Sequence, residues 1–568
     1  MLEKIKSLYN ILDNKEKKNF IYVSIIQVLK SFIELISLGS LYPLIYFIFE
    51  GDLNFIKKYL NIEFDQNISL FLFIILFIFS IFSLKALLFI LFTIKENRFL
   101  IEVSRAIKIK LYNIYLDQGY EFFLNKKSEI ILNNVMSESN YFSKNQLAPL
   151  YNIFNEVLKI ILILVALIVV NPKYIFIGAV VFLPLILFYV FWVKKKLIEY
   201  GLQRKESTER LIDLVNKGIS SIREIIIFNN KLVFIDKFKN FCTNLYNVHY
   251  KNNLIHYIPK ILLEYFIVVY ILFLFFISIV LKKDNLNEVL IFISFLSLSF
   301  VRILPAINNF IKCYQDFNFF HTSTLVLKEA FDSRIPEKID PETQDNTIKF
   351  ENINFDNVSY NFKDKKIFEN ISFEINLNYK YGIVGDSGSG KTTLINLILG
   401  FLNPDTGSIK INNQKIQNIK SIWQKNISYI PQDLYLMEDS ILNNITLGLG
   451  KVDKLKINNA IKISKLDEMI EKYPEKIEHK IKNTGLDISG GQKQRIGIAR
   501  SIYFNRGVTI FDEVTNALDE KTEIEVLKNL INEFKNKPFL IVSHSNNINK
   551  FVDKIIEIKN KKIYIKDA

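Results

Sequence analysis

Cysteine is scarce in this chain of 568 residues, which contains only 2 cysteines. Cys242 and Cys313 lie too far apart in sequence to indicate a disulfide framework or a metal site, and we interpret both as unreactive thiols. A cleavable signal peptide is not expected either. Met1–Lys18 is polar and charged, and the first apolar segment is longer than the apolar core of a signal peptide.

Long apolar segments are abundant by contrast. Half of the residues are hydrophobic, and 49 residues are phenylalanine. Six segments of about twenty residues or more are each long enough to cross a hydrocarbon core of about 30 Å as a helix. They are residues 20–48, 67–95, 148–171, 174–193, 258–281 and 286–311. We therefore predict that residues 1–325 form an all-α transmembrane domain of six helices.

The charge pattern predicts how these helices are oriented. The formal net charge of +14 could indicate nucleic-acid binding. Lysine and arginine instead cluster in Met1–Lys18, around Arg98–Lys144 and in Lys194–Lys251, whereas the intervening short connections carry few of them. This positive-inside pattern predicts a multi-pass membrane protein with its N terminus and long loops in the cytoplasm. No nucleic-acid partner is expected.

Two of the loops are too long to be ordinary turns. Residues 96–147 and 194–257 keep a helical periodicity with few prolines or glycines, so we expect helices that continue into the cytoplasm. Each contains a candidate bend with polar and aromatic residues, at Asp117–Ser128 and at Ser221–Lys231. We predict that these bends contact a cytoplasmic domain.

That second domain is predicted to span residues 348–568, after a charged linker at 326–347. The run ending at Val384 indicates a strand, Leu394–Leu399 indicates a helix, and a glycine-rich loop joins them. A strand, such a loop and a helix in this order form the context of a phosphate-binding loop. The predicted nucleotide contacts of this segment are Gly385, Asp386, Ser387, Gly388, Ser389, Gly390, Lys391, Thr392 and Thr393.

The chemistry of this loop suits ATP with Mg²⁺. Its glycines let backbone N–H groups approach phosphates, and the helix N terminus favours an anion. Lys391 is expected to reach the β- and γ-phosphates, and Thr392 to bind Mg²⁺. Downstream, an apolar strand ends at Asp512 and Glu513. Asp512 is predicted to hold Mg²⁺, and Glu513 to orient and deprotonate the attacking water.

The stretch Ile488–Gln492, Ile-Ser-Gly-Gly-Gln, resembles the signature of ABC proteins, and residues 348–568 resemble an ABC ATPase domain. The resemblance implies that Ser489, Gly490, Gly491 and Gln492 contact the γ-phosphate of an ATP bound to the facing subunit. It also implies a Mg²⁺-linked sensor at Gln432, a γ-phosphate contact at His544 and a dimer-contacting loop that ends at Asp519. The adenine-stacking aromatic residue of the family falls on Phe362.

Three positions depart from the family pattern. Phe362 replaces the usual tyrosine, which preserves stacking without the hydroxyl group. The loop before the signature reads Lys-Asn-Thr-Gly at 482–485 and lacks the glutamate that exporters often carry there. Ile488 replaces leucine at similar volume. None of these changes removes a catalytic group, so we expect an active ATPase.

A transmembrane domain followed by one ATPase domain resembles a bacterial ABC exporter half-transporter. One chain offers one phosphate loop and one signature, and each ATP needs both from facing domains, so a homodimer is predicted. ATP binding is expected to close the dimer and hydrolysis to reset it. An importer is disfavoured because its ATPase is normally a separate chain. An ATP-gated channel or sensor is disfavoured because Glu513 and His544 are both present.

Ionisable residues in the apolar segments point to the cargo. Lys30 with Glu34, Glu156 with Lys159, and Lys260 with Glu264 are spaced to pair on one helix face. Lys85 and Arg302 have no such neighbour and would favour an anionic cargo if they face the cavity. The alternative is that these residues lie in cytoplasmic helix extensions or extend to the membrane interface.

The segment from Val301 to Ser323 resembles that of bacterial lipid-linked oligosaccharide flippases, as do the surroundings of Lys85 and Lys260 and the stretch Phe55–Leu60. The resemblance implies that Lys85, Lys260 and Arg302 face a cavity. It implies a polyprenyl-pyrophosphate-linked oligosaccharide as cargo, with membrane lipid as a further partner. The alternative cargoes are lipid A, a drug or a peptide.

Overall fold

The computed structural model of the chain describes residues 2–50, 67–170, 172–281, 286–333, 350–363, 365–482, 488–514, 517–535, 537–542 and 546–568. The chain divides into two compact units. The first contains Met1–Gln118 and Phe122–Pro336, and the second contains Gly119–Glu121 and Glu337–Ala568. Gly119–Glu121 fall near the start of the first predicted bend, Asp117–Ser128.

The first unit is helical in its described residues. Its helices are α1 Leu2–Ile11, α2 Asn14–Gly39, α3 Tyr42–Glu50, α4 Asn67–Leu116, α5 Tyr120–Asn125, α6 Ser128–Asn133, α7 Ser139–Phe142, α8 Ala148–Val170, α9 Pro172–Ser220, α10 Ile222–Ile227, α11 Lys231–Leu281, α12 Leu286–Phe319 and α13 His321–Asp332. The helices α4, α9 and α11 contain 50, 49 and 51 residues. Helices of that length are longer than the hydrocarbon core of a bilayer, which is about 30 Å thick. This length agrees with the predicted cytoplasmic extensions.

Five stretches in the described residues are long and apolar enough to cross a membrane. They are Asn14–Tyr46, Leu72–Leu116, Ser128–Val169, Lys231–Phe273 and Ser294–Phe319. The predicted segment 174–193 lies inside α9, but most of its side chains are outside the described set. The number of six therefore remains a prediction. The stretch Phe55–Leu60, which carries part of the flippase resemblance, is also outside the described residues.

Both predicted bends are confirmed as helix breaks. The helix α4 ends at Leu116, and α5 and α6 follow as short helices. The helix α9 ends at Ser220, and only the six-residue α10 separates it from α11. The helix α13 covers the first residues of the segment predicted as a linker, up to Asp332, and residues 334–349 lie outside the described part.

The third membrane-crossing stretch contains two π-helical turns, at Asn134–Glu138 and Ser143–Leu147. Polar side chains are buried beside them. Arg204 of α9 forms an ion pair with Glu138 at 3.2 Å, and the two side chains are 1% and 0% exposed. Arg204 also donates to Thr322, and Ser323 donates to Glu138. The pair thus joins three helical segments.

The second unit has two sheets and the helices that cover them. Its strands are β1 Asn352–Phe362, β2 Lys365–Asn376, β3 Tyr381–Gly385, β4 Thr406–Ile411, β5 Gln414–Lys415, β6 Ile427–Ile430, β7 Val508–Asp512, β8 Phe539–Val542, β9 Lys554–Lys559 and β10 Lys562–Asp567. Its α-helices are α14 Lys391–Ile398, α15 Ile416–Lys425, α16 Ile441–Thr446, α17 Lys454–Ile463, α18 Asp467–Ile470, α19 Gly490–Phe504 and α20 Glu520–Glu533.

The strand order places the predicted site at one edge of a sheet. The smaller sheet is antiparallel, with the order β2-β1-β4-β5. The larger sheet has the order β10-β9-β3-β8-β7-β6 and is parallel from β9 to β6. Strands β3 and β7 flank β8. The carboxyl ends of parallel strands meet at one edge, where ligands of open α/β sheets bind.

Candidate functional site

The predicted strand–loop–helix is confirmed around the glycine-rich sequence. Gly388 and Gly390 have φ values of +77° and +109°, a backbone conformation that glycine adopts without steric cost. A Cβ atom at Gly385 would lie 2.7 Å from the Ser389 hydroxyl oxygen. A Cβ atom at Gly390 would lie 2.9 Å from the side chain of Ile367. The loop therefore needs glycine at these positions.

The loop offers groups that fit a phosphate. Lys391 Nζ donates to the carbonyl oxygens of Gly385 and Asp386 at 2.8 Å and 3.1 Å, so its ammonium group lies over the loop. The hydroxyl oxygen of Ser389 is buried without a hydrogen-bond partner among the described residues. Thr392 is exposed in the first turn of α14, whose N terminus favours an anion. A cation, an unpartnered hydroxyl and a helix N terminus meet here.

The strand β7 brings Asp512 to the same sheet edge. All five residues of β7 are buried, and Asp512 is 3% exposed. The hydroxyl of Tyr429, on the neighbouring strand β6, donates to Asp512 Oδ2 at 3.4 Å. Burial, reinforced by the charge of the adjacent Glu513, raises the pKa of Asp512 to about 6. A buried carboxylate of this kind is suited to a compensating cation.

The structure brings Gln432 and Glu513 together. Gln432 Nε2 donates to Glu513 Oε2 at 2.8 Å. The backbone of Glu513 has a φ of +53°, which is uncommon for a residue with a side chain. Its N–H donates to the carbonyl oxygen of Val542 at 3.1 Å. The predicted sensor and the predicted base therefore form a direct contact.

The signature residues lie at a helix N terminus. Ser489 caps α19, because its hydroxyl accepts from Gln492 N at 3.2 Å while Gln492 Oε1 accepts from Ser489 N at 2.9 Å. Ser489 and Gly490 are exposed. Asp519 caps α20 and accepts from Thr522 N at 3.1 Å, and hydrogen bonding to Thr522 lowers the pKa of Asp519. Phe362 ends β1 and is 45% exposed.

Some predicted residues lie outside the described part of the chain. They are His544 and, in the loop before the signature, Asn483, Thr484 and Gly485. Two contacting residues were not predicted. Tyr429 is one, and its proximity to Asp512 depends on strand pairing that a single sequence does not reveal. Gln494 is the other. It lies four residues after Gly490 on α19, and this spacing indicates that both residues share one helix face.

Three cations of the membrane-crossing helices converge on Glu34 of α2. Lys159 Nζ lies 2.9 Å from Glu34 Oε2, and Lys85 Nζ and Arg302 Nη1 lie 3.9 Å and 4.0 Å from Glu34 Oε1. Lys159 also pairs with Glu156 at 3.0 Å, as predicted from their spacing. Three cations therefore face two carboxylates in this group, which we call the Glu34 cluster.

The predicted pairing of Lys30 with Glu34 was wrong. Lys30 pairs with Glu96 of α4 rather than with Glu34 one turn away. Lys85 and Arg302, for which only a partner on the same helix was ruled out, are both reached by Glu34 from another helix. Spacing along one helix cannot predict such pairs, since they depend on how helices pack.

Lys260 is separate from the Glu34 cluster in the described contacts. Lys260 and Glu264 both lie exposed on α11, and the described residues show no ion pair between them.

A cavity of about 420 Å³ adjoins the Glu34 cluster. It is lined by Gln27, Lys30, Phe89, Glu96, Lys144, Ala148, Pro149, Asn152, Asn155, Glu156, Lys159, Asn309, Lys312, Cys313 and Asp316. Charged and amide side chains dominate this lining.

Comparison with known proteins gives the chain's relatives. The chain is 34% identical over 215 residues to ABC transporter B family member 24, mitochondrial, of Arabidopsis thaliana. This match covers 38% of the chain and 31% of that protein. An ATP-dependent lipid A-core flippase of Paraburkholderia xenovorans is 24% identical over 446 residues, or 77% of this chain and 74% of the flippase. The chain thus spans about a third of the length of the first relative and about three quarters of the second.

The fold has a solved counterpart. A bacterial Atm1-family ABC exporter with ATP bound matches 97% of this chain and 95% of its own, with a TM-score of 0.79 and 18% sequence identity. At that identity the match shows a shared fold.

Two family profiles cover both units. The first, described as ABC transporter, matches residues 368–516. The profile of the ABC transporter transmembrane region matches residues 20–304, which is half of the chain. The phosphate-binding loop and the strand end at Asp512 both fall within the first match. The chain therefore belongs to the ABC transporter family and combines a transmembrane region with an ATPase domain.

Proposed function

We propose that the protein is an ATP-driven exporter of an amphipathic anionic cargo, acting as a homodimer in the bacterial cytoplasmic membrane. The preferred cargo is a polyprenyl-pyrophosphate-linked oligosaccharide, moved from the cytoplasmic to the outer leaflet. The observation that carries the proposal is the meeting of Gln432, Glu513 and Asp512 beside a glycine-rich loop in a chain with membrane-crossing helices.

The nucleotide site fits ATP with Mg²⁺. The buried Ser389 hydroxyl without a described partner, the Lys391 ammonium group and the exposed Thr392 hydroxyl are groups that phosphate and Mg²⁺ would engage. Thr392, Gln432 and Asp512 would hold Mg²⁺, which neutralises charge on the phosphates when bound. Lys391 would leave the carbonyl oxygens of the loop for the β- and γ-phosphates.

Glu513 would accept a proton from the water that attacks the γ-phosphate. Its carboxylate already accepts a hydrogen bond from Gln432 Nε2, so a nucleotide that draws Gln432 away would free the oxygen for the water. His544 would contact the γ-phosphate. Phe362 is exposed enough to stack on adenine.

The signature requires a second copy of the chain. Ser489 and Gly490 are exposed at the N terminus of α19, where a helix dipole favours an anion. A second copy would place its own phosphate-binding loop and ATP against them, and a two-fold axis would create two equivalent sites. Half-transporters of this family typically function as dimers.

The cytoplasmic bend at α10 also supports contact with another domain. Ile226, Ile227 and Phe228 are 70%, 76% and 68% exposed. Consecutive exposed apolar residues of this size mark interaction sites. We infer that this bend contacts an ATPase domain and transmits its closure.

The Glu34 cluster supports an anionic cargo. Its three cations outnumber its two carboxylates, and Arg302 remains 33% exposed beside Glu34. A phosphate or pyrophosphate head group would take the place of a carboxylate as the partner of Lys85 and Arg302. Lys260 would contribute from α11. Lipid A shares phosphate chemistry, and the flippase relative favours it as a second candidate.

Leaflet translocation in proteoliposomes tests the proposal. Wild-type protein and Glu513→Gln are compared with a short lipid-pyrophosphate glycan in one arm and lipid A in the other. We expect ATP-dependent movement of one lipid by the wild type and none by Glu513→Gln, which keeps its nucleotide contacts but lacks the base. Hydrolysis that neither lipid stimulates, without translocation of either, contradicts a flippase.

Neutralising the cations tests the cargo site. Lys85→Gln, Lys260→Gln and Arg302→Gln together are expected to abolish translocation while basal ATP hydrolysis survives, because these residues lie outside the ATPase domain. Arg98→Gln is the matched control, since Arg98 is an exposed cation of α4. Translocation that persists in the triple variant refutes this cargo site.

A further inference from the structure

We propose that Gln494 is a positioning residue that connects the two ATP sites to which each ATPase domain contributes. It would link the signature, which serves the ATP of the facing subunit, to Glu513, which serves the domain's own ATP. The inference rests on the proposed dimer with composite sites.

Gln494 bonds to both sides of the segment that follows β7. It lies on α19, four residues after Gly490. Its Nε2 donates to the carbonyl oxygen of Glu513 at 3.4 Å. Its Oε1 accepts from the backbone N–H of Ala517 at 3.0 Å. One side-chain amide thus bonds to both Glu513 and Ala517 in the segment that leads to Asp519.

The signature itself packs against the same loop without spare room. A Cβ atom at Gly491 would lie 2.9 Å from the carbonyl oxygen of Ala517, and one at Gly490 would lie 3.4 Å from the Ala517 Cβ. Close-packed backbone of this kind transmits a displacement instead of absorbing it. A shift of the signature would therefore move Ala517.

Glu513 depends on outside restraint. Its φ of +53° is rarely adopted by a residue with a side chain, so surrounding contacts must hold it there. Val542 accepts from its N–H on one side, and Gln494 donates to its carbonyl on the other. Loss of the Gln494 amide removes one of these restraints and leaves the carboxylate less well placed for the water.

The consequence is coupled hydrolysis. Binding of the facing subunit's ATP to Ser489 and Gly490 would shift the signature. Gln494 would transmit this displacement to Glu513, which acts on the domain's own ATP. The facing subunit carries the same link, so the two-fold symmetry of the proposed dimer makes the coupling act in both directions. Both ATP molecules would then promote each other's hydrolysis, and the dependence of the rate on ATP would be cooperative.

The test compares two substitutions in the full-length protein in lipid nanodiscs. Gln494→Met keeps the side-chain length and removes both hydrogen bonds, whereas Gln494→Glu keeps an acceptor for Ala517 and removes the donor to Glu513. For Gln494→Met we expect kcat to fall about tenfold or more, with ATP affinity within about twofold of wild type. The Hill coefficient for ATP should fall from above 1 to 1. Gln494→Glu should lose kcat but keep part of the cooperativity.

The control is Asn459→Ala, which removes an exposed amide of α17 that bonds to Glu533. It should match the wild type. ATP binding that is retained by Gln494→Met shows that the domain is folded. An unchanged kcat, or a Hill coefficient that stays at the wild-type value, overturns the role of Gln494. A Hill coefficient of 1 in the wild type also overturns it, whereas wild-type hydrolysis by a monomer overturns the composite dimer itself.

Discussion

Asp512 combines burial with a neighbouring like charge, and its protonation should therefore limit binding of Mg²⁺. Its raised pKa of about 6 means that the carboxyl group is neutral below that pH and charged above it. Because a neutral carboxyl group is a poor ligand of Mg²⁺, we expect the Mg²⁺ concentration that supports half-maximal ATP binding to rise about tenfold from pH 7.5 to pH 5. Titration of ATP binding with Mg²⁺ at both pH values measures this.

Asp512→Asn supplies the reference for that titration. The variant has no carboxyl group at this position, so its remaining pH dependence reports all titrating groups other than Asp512, including those of the nucleotide. The difference between the two proteins isolates Asp512. Identical pH dependence in both would show that Asp512 does not titrate in this range or does not bind Mg²⁺.

At the scale of secondary-structure elements, the ion pair of Arg204 and Glu138 joins α9 to a π-helical turn and to the start of α13. Removing one partner leaves an uncompensated buried charge, which typically costs about 3–5 kcal/mol. We expect Arg204→Met to lower the thermal unfolding temperature strongly. Arg204→Met with Glu138→Gln should recover most of that loss, because no buried charge remains. Thermal unfolding in detergent micelles measures both.

An exposed pair on α4 is the matched control for these variants. Arg98 and Glu102 lie 2.9 Å apart with side chains that are 80% and 51% exposed. Solvent screens such a pair, so Arg98→Met should change stability by no more than about 1 kcal/mol. A loss for Arg204→Met no larger than that of the control would contradict the structural role of the buried pair.

The difference between local and long-range elements explains what the sequence could predict. The glycine-rich loop was placed correctly because strand, loop and helix follow one another along the chain, and their local geometry needs only neighbouring residues. The pairing of Lys30 was wrong because its partner, Glu96, lies on another helix. The convergence of Lys85 and Arg302 on Glu34 depends in the same way on helix packing. Single-sequence spacing contains no information about such contacts.

At the scale of the whole molecule, the proposed dimer lets one chain supply halves of two different ATP sites. Lys391 lies on α14 after β3, whereas Ser489 caps α19, almost a hundred residues later. If two copies face each other, the loop of one and the signature of the other form each site. Defects in the two halves should therefore complement each other when they are placed on different copies.

Mixed dimers make this complementation measurable. Copies with Lys391→Ala and copies with Ser489→Arg carry different affinity tags, are expressed together and are purified by both tags in turn. Each homodimer has two defective sites, but the mixed dimer combines both defects in one site and leaves the other intact. We expect its ATP hydrolysis to reach up to about half of the wild-type rate, whereas both homodimers stay at background. The control pairs wild type with a copy that carries both substitutions, because each of its sites has one defect. A mixed dimer less active than that control would show that each site is completed within one chain, because only the control would then contain an intact site.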